Sequence, residues 1–177
     1  NNAWWQVTDN MVMTPNQWTH VAVSYDSALA ELRLYKNGKL VSQAQNIPAH
    51  NDPEVLIGAY AYCCTFQGKI DEVRIWDSAR SEEEIRANMC QKLQGNEAGL
   101  SAYFRFDELS GGVAPNATGG TSGQLSNFQG LGLNEAWQRS GAPIGTKSVY
   151  SYGDEDEIGL AGNHGDSLVL ATHPVQD

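Results

Sequence analysis

Residues 68–88, GKIDEVRIWDSARSEEEIRAN, constrain the fold most, because they combine a short strand, a turn and a capped helix. Val73 and Ile75 recur with the period of two that is typical of a β-strand, and Asp71 is in phase with them. Glu72 alternates with these residues and is predicted to face the opposite side. The pattern therefore predicts an amphipathic strand with one mainly apolar face.

A helix is predicted directly after this strand. Ser81 and Glu84 stand at the spacing of a capping box, and the glutamates at 82, 83 and 84 place negative charge in the first turn, where the helix dipole favours it. Apolar residues then recur at intervals of four, and Gly95 offers a left-handed stop. The sequence predicts one short helix over residues 81–94.

The Asn37-Gly38 pair is the strongest local hairpin signal, because both residues accept the positive φ of a two-residue turn. Further short strands are predicted on both sides of it, over residues 1–13, 18–25, 54–59 and 96–108. No helix is predicted between residues 17 and 76. Short strands at this spacing indicate an antiparallel sandwich and not a parallel sheet.

Two motifs resemble the signature of the laminin G-like, concanavalin A-like jelly-roll family. One is the G-x-I-D-E-V-R-I-W run of residues 68–76, followed by S-x-E-E-I. The other is residues 17–41, QWTHVAVSYDSALAELRLYKNGKLV, which look like that family's W-x-H-V-A-V-x-Y-D hairpin region. The resemblance implies an all-β fold, an antiparallel β-sandwich of the jelly-roll type, with the one short helix near residues 81–94.

The resemblance covers residues 1–109 and matches the second half of the family pattern, because several strands normally precede the hairpin. Residues 110–177 are expected to be a glycine-rich crossing plus additional strands, either in the same domain or as a small appendage. An incomplete sandwich would expose an apolar sheet face. We therefore expect other protein chains to complete the sandwich, a homo-oligomer being one form of this. The alternative is a permuted single domain, in which the chain's own later strands, at residues 100–106 and 148–170, take the vacant places.

The charge of the chain argues against some partners. With 21 acidic and 11 basic side chains the formal net charge is -10, which repels nucleic acid and anionic membrane surfaces at long range. No run of 18 apolar residues is present, so membrane insertion is not expected. The resemblance implies a secreted or cell-surface protein.

Three cysteines allow at most one intrachain disulfide. Because Cys63 and Cys64 are adjacent, their side chains would face opposite sides of a strand, and only one of them could face Cys90. A bridge from Cys63 or Cys64 to Cys90 fits a secreted module and is predicted. Three reduced, partly buried thiols are the alternative.

Catalysis has little support in the sequence. Jelly-roll glucanases use two carboxylates in an E-x-D-x-x-E arrangement, and that motif is absent. The nearest pair, Asp71 and Glu72, consists of adjacent residues, whose side chains would face opposite sides of a strand. No Ser-His-Asp spacing is visible either. The chain is therefore predicted not to be an enzyme.

Few residues stand out as ligand contacts. Tyr60 and Tyr62 share a face and are weak candidates for stacking on a sugar, although tyrosines of a core or interface are the commoner explanation. Asn116 begins an N-x-T triplet, a glycosylation acceptor if the source is eukaryotic.

No cofactor is expected. Pentraxins resemble the same signature and carry acidic calcium ligands after the L-x-G segment, where this chain has alanine, tyrosine and cysteine. Calcium is the only ion with any support, because an acidic loop offers oxygen ligands, but such charge runs are more often solvated. The weak metal candidates are Asp154, Asp156 and Glu157.

The resemblance and these residues together indicate an extracellular, non-catalytic binding or adhesion module. Its expected partners are a glycan or a surface protein, with assembly onto other chains. The alternatives are a structural subunit of a surface filament or layer and, with less support, a glycoside hydrolase-like enzyme.

Overall fold

In the computed structural model, the described residues are 7–8, 13–49, 55–59, 66–126, 136–145, 150–151 and 158–159. They form two compact units, of which the first contains Asn1–Ala49, Ser78–Leu93 and Ala142–Asp177, and the second His50–Asp77 and Gln94–Gly141. The elements in chain order are β1 (Val21–Asp26), β2 (Glu31–Lys36), β3 (Lys39–Ala44), β4 (Val73–Trp76), α1 (Glu82–Asn88), β5 (Leu100–Phe104), β6 (Val113–Ala114), β7 (Gly123–Gln124), β8 (Tyr150–Ser151) and β9 (Ile158–Gly159).

The first unit contains a three-stranded antiparallel sheet in the order β1-β2-β3. Asn37 and Gly38 connect β2 to β3 with φ angles of 52° and 74°, and the flanking residues Lys36 and Lys39 pair with each other. The Asn37 N–H donates to the carbonyl of His20 at 2.9 Å, which ties the turn to the start of β1. The predicted two-residue hairpin is confirmed.

The two faces of this sheet differ in burial. Tyr35, Ser24 and Glu31 lie on one face and are buried. Val21 and Val23 lie on the other face and are 52% and 60% exposed. This sheet therefore presents one apolar face to solvent at its β1 side.

Helix α1 begins as predicted. The Glu84 N–H donates to the hydroxyl of Ser81 at 3.2 Å, and the Ser81 N–H donates to the carboxylate of Glu84 at 2.9 Å. This reciprocal capping box satisfies two N–H groups that the first turn leaves open. The three acidic residues of that turn stabilise its positive end.

The helix ends at Asn88, whereas the sequence predicted an end near residue 94, so that part of the prediction is wrong. The Gln91 N–H donates to the carbonyl of Asn88 at 2.9 Å, a three-residue step that tightens the backbone and stops the α-helical ladder. Gly95, the predicted stop, has a φ of 96° in a later turn.

The helix packs on the hairpin through small distances. A Cβ added to Gly38 would lie 2.5 Å from Cγ of Arg86 and 2.9 Å from Cε of Met89. The Leu40 N–H also donates to the carboxylate of Glu82 at 3.3 Å. Met89 is buried, so the turn and the helix pack closely against each other and neither can change shape without disturbing the other.

The second unit is built around the antiparallel pair β4-β5, in which Val73 pairs with Phe104. Strands β6 and β7 form a second antiparallel pair, and Asn116 forms a bridge with Phe104. Tyr103 on β5 has an exposed fraction of 0%, the lowest in this core.

Three strand predictions in this unit require correction. Residues 55–59 form no strand, because Gly58 has a φ of 78° that breaks the extended run. Strand β4 starts only at Val73, because Glu72 has a φ of 54°, so Asp71 is not in phase with the strand. Strand β5 ends at Phe104, because Phe106 has a φ of 53° and the alternation predicted for residues 96–108 stops there.

The fold class is confirmed: the chain has the all-β architecture of antiparallel sheets expected of a β-sandwich, with one short helix among the described residues. None of the helices in the described residues is long and apolar enough to cross a membrane. Residues 1–6 and 9–12, which make up most of the strand predicted over residues 1–13, lie outside the described residues. The predicted boundary at residue 109 stays a prediction.

We predict that Gly38→Ala lowers the free energy of unfolding by about 2–4 kcal/mol, because the new methyl group adds crowding against the helix to the cost of a left-handed alanine. Gly111→Ala is the matched control: its φ is 97°, and its added Cβ meets no described atom within 4 Å. It should lose only about 1–2 kcal/mol in urea unfolding. Equal losses in the two variants would show that the hairpin-helix contact contributes nothing.

Candidate functional site

A polar pair marks one end of the β4-β5 sheet in the second unit. Asp71 precedes β4, and its carboxylate accepts a short hydrogen bond from the hydroxyl of Ser140. The Glu72 N–H donates to the other oxygen of Asp71 at 3.0 Å. Both Asp71 oxygens are therefore fixed in position.

An aromatic group lies at the same end, just after β5. The Phe106 ring stacks on Phe104, with ring centroids 6.2 Å apart and an angle of 18° between the planes. The Trp137 ring lies 6.3 Å from Phe106 and is tilted by 46°. The indole N–H of Trp137 donates to the carbonyl of Gly111 at 2.7 Å, which fixes the orientation of the indole.

The segment 136–141 brings these two groups together, because Trp137 and Ser140 are three residues apart in it. Phe106 and Trp137 are half-buried, while Asp107 and Ser140 are exposed. We name this arrangement the Asp71–Trp137 site and define it by its five side chains: Asp71, Phe106, Asp107, Trp137 and Ser140.

The electrostatics of the site centre on Asp71. Burial raises the pKa of its carboxyl group above the ordinary value of 3.8, and the negative charges of Glu72 and Asp107 raise this pKa further. The hydrogen bonds from Ser140 and from the Glu72 N–H act in the opposite direction. The net effect is a raised pKa of Asp71, so the folded structure destabilises its ionised form relative to its protonated form.

A buried polar network lies next to Asp71 and is centred on the carboxylate of Glu72. The hydroxyl of Tyr103 donates to the carboxylate of Glu72 at 2.5 Å, and Arg74 forms an ion pair with the same oxygen at 2.7 Å. The guanidinium groups of Arg74 and Arg105 lie 5.4 Å and 5.1 Å from the centre of the Tyr103 ring. This network holds Glu72 in its left-handed conformation, and thereby fixes the position of Asp71 before the strand.

Aromatic rings beside fixed carboxylate oxygens are suited to binding a polyhydroxylated ligand. The C–H face of a sugar packs on a ring, while its hydroxyl groups donate to the carboxylates. Among the described residues, no group of three or more His, Cys, Asp or Glu side chains is placed to hold a metal ion.

Most site residues predicted from the sequence lie outside the described residues and stay predictions. These are Tyr60, Tyr62, Cys63, Cys64, Asp154, Asp156 and Glu157. The Cys90 side chain is buried near the end of α1. The backbone carbonyl of Cys90 accepts a hydrogen bond from the Gly145 N–H at 2.8 Å.

The side chain of Asn116 is half-buried and makes several hydrogen bonds. Its Oδ1 accepts from the backbone N–H groups of Tyr103 and Thr118, each at 3.1 Å. Its Nδ2, the atom that glycosylation modifies, donates to the carbonyl of Thr121 at 3.4 Å. Glycosylation of this residue stays a prediction.

Sequence reasoning considered Asp71 only as half of a rejected catalytic pair, and it missed Phe106, Trp137 and Ser140 as site residues. One signal was available, because Trp137 stands in the polar segment NEAWQRSG, where a large aromatic residue has few apolar neighbours to pack on.

We predict that Asp71→Asn stabilises the folded chain at neutral pH. The raised pKa of Asp71 means that its protonation contributes stability that is fully present below about 3.8 and is lost as the pH rises through the raised folded value. The stability difference between variant and wild type should therefore grow from acid to neutral pH in urea unfolding. Asp77→Asn, at an exposed carboxylate after β4, is the control. A variant less stable than wild type at neutral pH would contradict the prediction.

Two curated proteins are similar to part of this chain. Pappalysin-1 of Mus musculus is 30% identical over 82 residues, which is 42% of this chain and 5% of that protein. Pentraxin-related protein PTX3 of Mus musculus is 32% identical over 91 residues, which is 44% of this chain and 24% of that protein. The chain thus spans a small part of either relative.

A solved structure is also similar. It is the crystal structure of a candidate carbohydrate-binding protein from Bacteroides ovatus, with a TM-score of 0.54 and 29% identity. The similarity covers 70% of this chain and 40% of the solved chain. Residues 1–86 match the profile of the family described as the concanavalin A-like lectin/glucanases superfamily. The similarity to this superfamily therefore lies in residues 1–86 of the chain.

Proposed function

We propose that this chain is a non-catalytic carbohydrate-binding module and that the Asp71–Trp137 site contacts the sugar. The observation that carries the proposal is the tilted pair of Phe106 and Trp137 beside the fixed carboxylate of Asp71. The half-buried rings offer a stacking surface, and the carboxylate offers acceptors for hydroxyl groups. The similar Bacteroides ovatus protein, itself a candidate carbohydrate-binding protein, supports the same ligand class.

A binding role fits the carboxylates better than hydrolysis. A glycoside hydrolase needs one carboxyl group that donates a proton and a second that acts as nucleophile or base. The raised pKa of Asp71 is in the direction that a proton donor requires. However, both of its oxygens already accept hydrogen bonds from Ser140 and Glu72, which favours the acceptor form. A hydrolase remains the alternative with less support.

In this proposal the module acts outside the cell, at the surface or after secretion, as its resemblance to laminin G-like domains implies. A glycan of a cell surface or matrix is then the expected ligand, and adhesion the expected result.

We predict that Trp137→Ala weakens glycan binding at least about tenfold, because loss of one stacking ring removes on the order of 1.4 kcal/mol. Trp18→Ala is the matched control, since Trp18 is also half-buried but belongs to the first unit. A glycan array on the wild-type chain identifies the sugar, and calorimetry then compares the three proteins.

Equal binding by Trp137→Ala and wild type would exclude this site. Release of reducing sugar by the wild-type chain, abolished in Asp71→Asn, would favour the hydrolase instead.

A second candidate function is assembly, which a different observation favours. Val21 and Val23 are more than half exposed on β1, and β1 is an edge of the three-stranded sheet within the described residues. An exposed apolar edge strand favours addition of a strand from another chain. We propose a second copy of this chain as the partner, because its own β1 edge offers the same exposed valines, so that the two edges can pair symmetrically.

We predict that the chain sediments as a dimer or larger species at micromolar concentration, and that the double variant Val21→Lys, Val23→Lys is a monomer. Leu29→Lys is the control, because Leu29 is equally exposed at 60% but lies in the turn before β2. A folded wild-type monomer, with the circular dichroism of a β-protein, would exclude assembly and leave a single permuted domain.

A further inference from the structure

We infer that the Asp71–Trp137 site discriminates sugars by charge: it binds amino sugars with a free ammonium group more tightly than neutral sugars, and it excludes sulfated or carboxylated ones. This inference rests on the proposed carbohydrate-binding function and adds the chemical class of ligand to it.

The first argument is the sign of the charges around the stacking surface. The charges that act on Asp71 come from Glu72 and Asp107, and both are negative. Asp107 is exposed and follows Phe106 directly, so it lies beside one of the two rings. A ligand that packs on Phe106 and Trp137 therefore approaches two site carboxylates, from Asp71 and Asp107.

The second argument is that two neighbouring cations, Arg74 and Arg105, are engaged in the network around Glu72 and Tyr103. Arg74 pairs with Glu72, and its side chain is 9% exposed. Arg105 donates to the carbonyl of Gln94 at 2.9 Å and lies over the Tyr103 ring. The ammonium of Lys69 donates to the carbonyl of Arg139 at 3.5 Å. Arg139 itself is exposed between Trp137 and Ser140.

The third argument is the acceptor capacity of Asp71. An ionised carboxylate has about four lone-pair positions, and the protein fills two of them through Ser140 and the Glu72 N–H. The remaining positions accept hydrogen bonds from a donor group of the ligand. An ammonium offers three donors and a positive charge, whereas a sulfate or carboxylate offers acceptors only.

The aromatic rings act in the same direction as the carboxylates. A cation near the face of Trp137 or Phe106 is attracted by the ring quadrupole. The overall charge of -10 adds a long-range repulsion of anionic polymers. The site carboxylates, the aromatic rings and the net charge thus all favour cationic ligands over neutral ones and neutral ligands over anionic ones.

The test uses oligomers of one sugar that differ only at the nitrogen: N-acetylglucosamine, glucosamine and N-sulfoglucosamine, which are neutral, cationic and anionic. Calorimetry at pH 6 and low salt should give a dissociation constant for the cationic oligomer about tenfold below the neutral one, and no measurable binding of the anionic one. Asp107→Asn should remove most of the cationic preference, because it removes one of the two site carboxylate charges. Asp77→Asn should leave the preference unchanged.

The outcomes separate this inference from the function on which it rests. Neutral and anionic oligomers that bind equally, with binding lost in Trp137→Ala, would refute the charge preference and leave the carbohydrate-binding function in place. A cationic preference that survives in both Asp107→Asn and Trp137→Ala would place it at another surface and refute the inference. Failure of all three oligomers to bind would refute this inference, whereas the carbohydrate-binding function is refuted only if the glycan array also shows no binding. Replacement of Arg139 by Gln tests the exposed cation between Trp137 and Ser140: the cationic preference should increase and not reverse.

Discussion

The hydrogen bond from the Tyr103 hydroxyl to Glu72 is the interaction on which the candidate site depends. A tyrosine with 0% exposure requires a partner for its hydroxyl, because an unsatisfied polar group in the interior is costly. Glu72 provides this partner, and its own charge is balanced by Arg74. The bond draws Glu72 toward the buried network and out of an extended conformation, so that β4 starts only at Val73 and Asp71 turns toward Ser140.

The same end of the sheet contains a second departure from extended backbone. Phe106 follows β5 with a φ of 53°, and Glu72 precedes β4 with a φ of 54°. The last regular pair between them joins Val73 and Phe104. Positive φ in residues other than glycine is strained, and such strain persists where the surroundings fix it. Here it places the Phe106 ring and the Asp71 and Asp107 carboxylates in one region, which is the site proposed to bind the ligand.

The first unit shows the opposite relation between local and tertiary structure. The Asn37-Gly38 turn and the Ser81-Glu84 capping box are local in sequence, and each has the geometry that its residue types favour. Tertiary packing then exploits them, because only a glycine at position 38 leaves room for the Arg86 and Met89 side chains of α1. Local preference and packing agree, so the hairpin turn and the start of the helix could be predicted from sequence.

The sequence alone determined the elements whose signals are short-range: the hairpin turn, the start of the helix, the antiparallel all-β class and the family resemblance. Tertiary structure decided where β4 begins, where β5 ends and which residues meet at the site. Asp71 and Ser140 are 69 residues apart, and no periodicity links them. The alternation of residues 71–75 predicted that Asp71 lies on the same strand face as Val73. This prediction is wrong because the hydrogen bond from Tyr103, 31 residues away, outweighs the preference of Glu72 for an extended conformation. Short-range patterns report backbone preference, whereas a buried hydroxyl and a buried charge impose conditions that only the folded chain can satisfy.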